Sequence, residues 1–296
     1  MRKDKRVFAL GFFDGVHLGH QALLAECASL AQALGVETAA ITFDRHPRAL
    51  FTQTPPPLIS TASSRKALLR RYGIREIFQY AVTPEVMGMP WEDFLGELME
   101  RGAVGFVCGD DFRFGRRNEG SPQNLQEFCR RHDLPCVVVS EQTVGGKRIS
   151  STYIRRQIES GDMETANRFL GHPHMISGVV VPGKQIGRTL GIPTANILLE
   201  EGLVTPKFGV YACRCEVDGA VYAAVTNVGT RPTVGGAGVT VEPWLLDFEG
   251  DLYGQEISLE FHRFLRPEIK FDSLEALKAQ IRMDAETTRA YLREQL

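Results

Sequence analysis

The sequence predicts a two-domain protein, in which an α/β half with a parallel sheet precedes an antiparallel β half. Up to about residue 172, apolar strand-like runs alternate with segments of helical spacing. From Ile176 to Phe264 only short strand-like runs follow, punctuated by Gly and Pro. The length of 296 residues is also typical of two domains. We therefore expect one domain over residues 1–172 and a second over residues 173–296.

The elements of the first half follow from apolar spacing and from residues that start or stop helices. Helix boundaries are marked by Gly35 and Gly73 after two segments and by prolines at the first turn of two others. The predicted strands are Val7–Phe12, Val36–Phe43, Ile74–Ala81, Ala103–Cys108 and Cys136–Val139. The predicted helices are Gln21–Leu34, Thr61–Tyr72, Trp91–Arg101 and a segment from Ser121 to about His132. Such alternation predicts a parallel sheet with helices on both faces.

The second half has the period of two that is typical of strands, followed by one helix at its end. Tyr211, Cys213 and Cys215 alternate with more polar neighbours. The predicted strands are Ser177–Val181, Val210–Val217, Val221–Val228, Val239–Phe248 and Glu256–Phe264. Asp272 or Ser273 is placed to cap a helix over Leu274–Leu292. This pattern predicts an antiparallel barrel or sandwich with a terminal helix.

Composition and charge exclude several classes of protein. With 34 basic and 36 acidic residues the net charge is −2, which argues against a generally basic nucleic-acid-binding surface. No apolar run reaches the length of a membrane-spanning helix, and the start of the chain lacks a signal-peptide cleavage pattern. The six cysteines form no Cys-x-x-Cys pair. We expect a cytoplasmic protein with reduced thiols and with neither nucleic acid nor a membrane as partner.

The strongest motif is the segment Gly11–His20, which follows the first strand and opens the first helix. In an open α/β sheet this position faces the ligand crevice, and a helix N-terminus favours anions. Its glycines allow close approach of a phosphate chain, and His17 and His20, three residues apart, reach one side of the first turn. The alternatives are a glycine-rich turn with two incidental histidines and, less favoured, a metal site.

Three further segments follow in order and give the chain a family resemblance. They are Thr42–Pro47, in which Arg45 stands where the family usually has proline, Gly109–Gly115 and Ile149–Arg155. Together with Gly11–His20 they resemble the HxGH nucleotidyltransferases and, more narrowly, the bacterial bifunctional riboflavin kinase/FAD synthetases. In the second half, Gly178–Asn196, Thr226–Thr233 and Val241–Phe248 match the riboflavin kinase part of that family, although Trp244 stands where the family often has histidine.

The resemblance implies a Rossmann-like domain that adenylylates FMN to FAD and a β-barrel domain that phosphorylates riboflavin to FMN, each with ATP. For the adenylyl site it implies His17 and His20 as catalytic residues. The ATP- and FMN-binding residues would be Gly11, Asp14, Gly15, Gly19, His46, Asp111, Ser151, Thr152 and Arg155. For His46 and Asp111 a purely structural role in a turn is equally consistent with the sequence.

For the kinase site the resemblance implies Glu242 as the base that accepts the proton of a ribityl hydroxyl; the alternative is a solvent-facing strand residue. We expect Thr194 and Asn196 to supply hard oxygen ligands for Mg²⁺. The ATP- and flavin-binding residues would be Gly183, Lys184, Gly187, Arg188, Gly191 and Asn227. The terminal helix with Asp284 and Arg289 also resembles the family's flavin-side helix, and a solvated face explains its charges equally.

Two other functions remain open at this point. The chain would be a single-activity enzyme, such as an FAD synthetase only, if one site had decayed. It would be a flavin-binding regulator if it kept the fold without turnover. A base and a Mg²⁺ site, which pure binding does not require, favour the bifunctional enzyme.

Overall fold

A computed structural model of the chain describes residues 4–183, 191–233 and 236–294. The chain folds into two compact units, Met1–Ser151 and Thr152–Leu296. The helical residues between 152 and 170 therefore belong with the second unit, whereas the predicted domain boundary lies at residue 172. None of the helices in the described ranges has the length and apolar content that crossing a membrane requires.

The first unit contains a five-stranded parallel sheet, which confirms the predicted fold class. Its strands are β1 (Arg6–Leu10), β2 (Glu37–Phe43), β3 (Glu76–Tyr80), β4 (Ala103–Gly109) and β5 (Cys136–Val139). They are ordered β3-β2-β1-β4-β5, and every neighbouring pair is parallel. The chain order reverses between β1 and β4, so the carboxyl ends of these two strands form the crevice in which such sheets bind ligands.

Helices cover both faces of this sheet. They are α1 (Leu18–Leu34), α2 (Ala62–Arg71), α3 (Pro84–Met87), α4 (Trp91–Glu100) and α5 (Pro122–Arg131). One buried core lies between the sheet and α4 and α5, and the other lies between the sheet and α1 and α2. A short hairpin of β6 (Thr143–Val144) and β7 (Lys147–Arg148) follows β5. Gly35 ends α1 in the left-handed region, with φ 64°, as its place in the sequence predicts.

The second unit is an antiparallel sheet that nearly closes into a barrel. Its strands are β8 (His174–Val179), β9 (Ile197–Leu198), β10 (Gly209–Val217), β11 (Ala220–Thr233), β12 (Gly236–Leu245) and β13 (Glu256–Arg266). They are ordered β8-β13-β10-β11-β12-β9. Beyond β8, the Val181 N–H donates to the Asn196 carbonyl over 2.8 Å, which brings the two edge strands together.

Three helices complete the chain. They are α6 (Ser151–Ser160), α7 (Met163–Leu170) and α8 (Leu274–Arg293). The last was predicted, and its first turn is capped by Ser273, whose Oγ accepts from the Ala276 N–H over 3.1 Å. Helix α7 is fixed to the barrel through Asn167, whose side-chain amide donates to the Phe261 carbonyl and whose Oδ1 accepts from the His174 N–H.

Candidate active sites

The turn between β1 and α1 is held in shape by a buried carboxylate. Asp14 is 2% exposed, and its oxygens accept hydrogen bonds from the Ile59 N–H at 2.9 Å and from the Ser60 N–H and hydroxyl at 3.1 and 3.2 Å. The Gly15 N–H donates to the same Ser60 hydroxyl. Phe13 and Val16 take left-handed backbone angles, with φ 60° and 40°, which non-glycine residues rarely adopt. Asp14 and Gly15 thus fix the conformation of the turn through hydrogen bonds to Ile59 and Ser60.

His17 and His20 form a stacked pair at the first turn of α1. Their ring centroids are 3.7 Å apart with the planes 9° from parallel. His17 also caps the helix, because its Nδ1 accepts from the His20 N–H over 3.3 Å. A Cβ on Gly19 would lie 3.3 Å from the His17 ring, so glycine lets that ring lie close to the helix. Burial, and secondarily the neighbouring His17, hold the pKa of His20 well below its usual value. The His20 imidazole is therefore neutral near pH 7, and hydrogen bonding is the chemistry available to it there.

The histidines open onto a cleft of about 370 Å³ at the carboxyl ends of β1, β4 and β5. Six of the predicted site residues line it, namely Gly11, His17, Gly19, His20, Asp111 and Ser151. Asp14, Gly15, His46, Thr152 and Arg155 are not among the lining residues. Thr152 and Arg155 follow Ser151 along α6, and Arg155 is 9% exposed. The structure thus brings together the centre of the predicted site and leaves five predicted residues outside the cleft lining.

His46 and Arg45 have structural partners beside this cleft. The Nδ1 atom of His46 accepts from the Arg48 N–H over 3.1 Å at the start of a short 3₁₀ helix, and its ring meets the Phe12 ring edge-on at 5.3 Å. The guanidinium of Arg45 donates to the Val82 carbonyl over 2.8 Å. Arg45 is the residue that departs from the family pattern. Its hydrogen bond to Val82 stabilises the loop after β2.

Two arginines near this cleft were missed from the sequence. Arg148 lines the cleft and pairs with Asp111 at 2.7 Å and with Glu141 at 3.0 Å. Arg65 is fully buried, lies 4.5 Å from the centroid of the Phe12 ring and donates to the Phe43 carbonyl. Neither arginine belongs to a recognised motif, so the sequence did not predict that either one would lie near the cleft.

The second unit has a larger cleft, of about 670 Å³, between the barrel and α8. It brings together three predicted residues, Thr194, Asn227 and Glu242. Glu242 on β12 lies opposite Asn227 on β11 in the strand register, and its Oε1 accepts from the Thr240 hydroxyl over 3.2 Å. Trp244 lines the same cleft at the position where the family often has histidine.

Polar residues that were not assigned from the sequence complete the cleft. Glu268 accepts from the Asn227 side-chain amide over 3.1 Å. Arg266 makes a two-pronged ion pair with Asp284, the shortest contact being 2.8 Å, and both line the cleft. Arg289, the other charge considered on the terminal helix, pairs with Asp247 instead. Helix α8 therefore directs Asp284 into this cleft and Arg289 elsewhere.

A smaller cavity of about 80 Å³ adjoins Thr194, which lines both cavities. Pro193 and Ala195 line the smaller one as well. Asn196 is 5% exposed, and a Cβ on Gly183 would clash with its side-chain amide, so only glycine fits there. Gly191 has φ 70°. Lys184, Gly187 and Arg188 fall outside the described residues.

The chain thus has two compact units with a cleft in each, and the family models that match them are those of nucleotide-dependent transferases. The family model for FAD synthetase matches residues 1–153, and the model for riboflavin kinase matches residues 170–292. The chain belongs to the family of bifunctional riboflavin kinase/FMN adenylyltransferases.

Proteins of that name from several bacteria are similar over nearly their whole length. The Listeria monocytogenes protein is 33% identical over 97% of this chain and 92% of its own. The Pseudomonas fluorescens protein is 36% identical, and that of Escherichia coli K12 is 35% identical; each alignment covers 96% of this chain and 92% of the relative. A solved Streptococcus pneumoniae structure, described as a macrolide-efflux protein, is 29% identical with a TM-score of 0.88, covering 98% of this chain and 95% of that one. Similarity to these relatives thus extends over nearly the whole chain.

Proposed function

We propose that the cleft of the first unit adenylylates FMN and that the cleft of the second unit phosphorylates riboflavin, so that the enzyme makes FAD from riboflavin and two molecules of ATP. Membership of the family and its two matching models support both activities. The observation that supports the placement is that each unit has its own cleft, one with the histidine pair and the other with Glu242. Riboflavin, FMN and ATP are then its partners. The net charge of −2 and the free thiols support a cytoplasmic place without a nucleic-acid partner.

In the adenylyl step an oxygen of the FMN phosphate attacks the α-phosphorus of ATP, and the bond to pyrophosphate breaks. The nucleophile is already an anion, so it needs no base. The site must instead stabilise charge on the α-phosphate and on the leaving pyrophosphate. The N-terminus of α1 and the two imidazoles are suited to this, because His17, Gly19 and His20 all line the cleft.

In the kinase step a ribityl hydroxyl attacks the γ-phosphorus of ATP, and ADP leaves. This nucleophile is neutral and loses a proton, which the Glu242 carboxylate accepts. Asn227, opposite Glu242, is held by Glu268 and presents its amide to the same cleft. Thr194 lies where the large cleft meets the small cavity. We place the flavin in the large cleft and the terminal phosphates of ATP at the smaller cavity, so that the phosphate is transferred beside Thr194.

Thr194 and Asn196 fit a Mg²⁺ ion by the chemistry of their donors. A hydroxyl and an amide oxygen are hard ligands, and Mg²⁺ commonly keeps several waters and bridges substrate phosphates. The described residues contain no cluster of three His, Cys, Asp or Glu side chains able to hold a metal by themselves, consistent with an ion that arrives with ATP. When bound, Mg²⁺ would neutralise charge on the transferred phosphate.

The placement is tested by replacing Thr194 with valine, which keeps the shape and removes the hydroxyl. We expect riboflavin phosphorylation by the full-length protein to fall at least tenfold and to require more Mg²⁺. FAD formation from supplied FMN should stay at the wild-type rate. Leu198→Ala, at an exposed position on β9, serves as the matched control and should leave both rates unchanged. Normal phosphorylation by the Thr194→Val variant would refute the placement.

A further inference from the structure

Three thiols gather in one core of the first unit, on the face of the sheet that α5 covers. Cys108 lies on β4, Cys129 in the last turn of α5 and Cys136 at the start of β5. The register of the two strands pairs Phe106 with Cys136, so Cys108 and Cys136 project from the same face. The Leu134 N–H donates to the Cys129 carbonyl over 2.9 Å, which folds the connection back onto the helix end. Cys129 and Cys136 thereby lie in the same core, at the two ends of this short connection.

We propose that Cys129 and Cys136 form a site of reversible oxidation, at which a peroxide converts the two thiols into an intramolecular disulfide. The adenylyl and kinase chemistry uses neither residue. Two thiols in one packed core, joined by a connection that folds back onto the helix end, can be brought to the S–S distance of about 2.05 Å by side-chain rotation and local approach. Only the six residues between them separate the pair along the chain.

The two thiols differ in reactivity, and the difference assigns their roles. Cys129 is buried, whereas Cys136 is partly exposed. Hydrogen bonding from Cys129 lowers the pKa of Cys136, which favours a thiolate there. The thiolate is the nucleophile, and Cys136 is also the thiol of the pair that a peroxide can reach, so Cys136 reacts first and Cys129 resolves. Burial raises the pKa of Cys108 to about 12, which leaves that thiol protonated.

The chemistry balances with a peroxide as the only co-reactant. The Cys136 thiolate attacks one peroxide oxygen, the O–O bond breaks, and hydroxide leaves with a sulfenic acid on Cys136. The Cys129 sulfur then attacks the Cys136 sulfur, the S–O bond breaks, and the Cys129 proton and the hydroxyl leave as water. For hydrogen peroxide the sum is two thiols and one peroxide giving one disulfide and two waters. A dithiol reductant returns both thiols by exchange.

The test uses full-length protein treated with hydrogen peroxide, followed by unfolding and alkylation of the remaining thiols. Trypsin cleaves after Arg130 and Arg131, between the two cysteines, so the disulfide joins peptide 118–130 to peptide 132–147. Mass spectrometry should detect this linked pair in the treated wild-type protein and lose it after dithiothreitol. Cys136→Ser should abolish it. Cys108→Ser, the matched variant from the same core, should retain it.

Three results would overturn the proposal. One is sulfinic or sulfonic acid on Cys136 while Cys129 remains open to alkylation. Another is a link from either cysteine to Cys108. The last is full alkylation of both cysteines after peroxide treatment that oxidises a free-thiol standard in the same tube. Circular dichroism of each serine variant before treatment identifies a variant that fails to fold, and Cys129→Ser then replaces Cys136→Ser.

Discussion

At the scale of single residues, the two proposed sites differ because their nucleophiles differ in charge. The FMN phosphate is an anion, and the proposed adenylyl site would offer it a hydrogen-bond donor from the neutral imidazole of His20. The ribityl hydroxyl is neutral, and the second unit offers it the carboxylate of Glu242. A substitution that removes one kind of group should therefore affect one reaction and spare the other.

Glu242→Gln keeps the size of the side chain and removes its basicity. We expect FMN formation to fall by roughly 10²-fold, the lower end of the range for loss of a general base, because a loose phosphoryl-transfer transition state demands less of a base. FAD formation from supplied FMN should stay near the wild-type rate. Both rates are measured on one preparation. A kinase rate that falls less than about threefold would mean that Glu242 is a structural strand residue.

The histidine pair is tested with variants that separate its chemistry from its cap. His17→Asn retains a good helix N-cap, whereas His17→Ala removes the cap and should cost about 1 kcal/mol of unfolding free energy. We expect both, and His20→Ala, to slow FAD formation by about 10²–10³-fold. Riboflavin phosphorylation should persist in all three. If His17→Asn makes FAD at the wild-type rate, the role of His17 is only to cap the helix.

At the scale of elements, sequence patterns identified ten strands and the long helices but missed the three two-residue strands β6, β7 and β9 and the helical segment from 151 to 170. The parallel strands carry continuous apolar runs, and α5 begins at Ser121 and Pro122 with a cap that the sequence displays. Helices α6 and α7 lie around the motif Ile149–Arg155, which was interpreted for its chemistry rather than for its periodicity. Gly161, with φ 85°, separates them, and Asp162 caps α7. Their apolar positions were readable from helical spacing.

The first strand of the barrel should make stability depend on pH. His174 on β8 is 2% exposed, and burial, with the neighbouring His172, lowers its pKa from 6.5 to about 3. Between those values the unfolded chain binds a proton that the folded chain does not. The free energy of unfolding should therefore fall as pH drops below about 6.5, by up to about 1.4 kcal/mol per pH unit, with the loss complete below about pH 3.

The pH dependence is measured by urea unfolding at pH 7.0 and 5.5 in a Trp91→Phe background, where Trp244 alone reports on the second unit. The His174→Phe variant cannot titrate at this position. The slope of unfolding free energy against pH should therefore be smaller in this variant, by up to about 1.4 kcal/mol per pH unit. Among the described residues, none forms a hydrogen bond with His174 Nε2. Replacing the imidazole with a phenyl ring therefore breaks no hydrogen bond at that atom. Equal slopes with and without His174 would show that its pKa is not depressed.

At the scale of the whole molecule, the division of labour can be tested by cutting the chain. A fragment starting at Thr152 retains α7 and should fold and convert riboflavin to FMN without making FAD. A fragment starting at His172, the predicted boundary, loses the two Asn167 hydrogen bonds and the buried Phe169 and Leu170. It should be at least about 3 kcal/mol less stable. Thermal unfolding and both assays decide the matter: a folded Thr152 fragment without kinase activity would contradict separable sites.

The sequence predicted those residues of the proposed sites that lie in motifs, and it did not predict the others. His17, His20, Thr194, Asn227 and Glu242 lie in dense, ordered motifs, and the structure brings them to clefts. The same clefts are also lined by Arg148, Arg266 and Glu268, which lie outside these motifs. Only the folded structure shows that these residues contact the clefts. Asp14 lies within a motif, yet its carboxylate points into the protein and accepts hydrogen bonds from Ile59 and Ser60. The spacing of residues in the sequence does not predict which way this side chain points.

The left-handed backbone at Val16 has a consequence for how this enzyme evolves. A buried β-branched residue with φ 40° carries strain, of the order of 1–3 kcal/mol, that a relaxed turn would not have. Glycine accepts that conformation more readily, but it would remove a fully buried side chain from the core, and the packing lost is at least as large as the strain relieved. The bond from Gln21 to the Val16 carbonyl uses the backbone of Val16, so it constrains the turn and leaves the choice of side chain to packing. Heat-selected libraries of this gene should therefore keep a small apolar residue at codon 16.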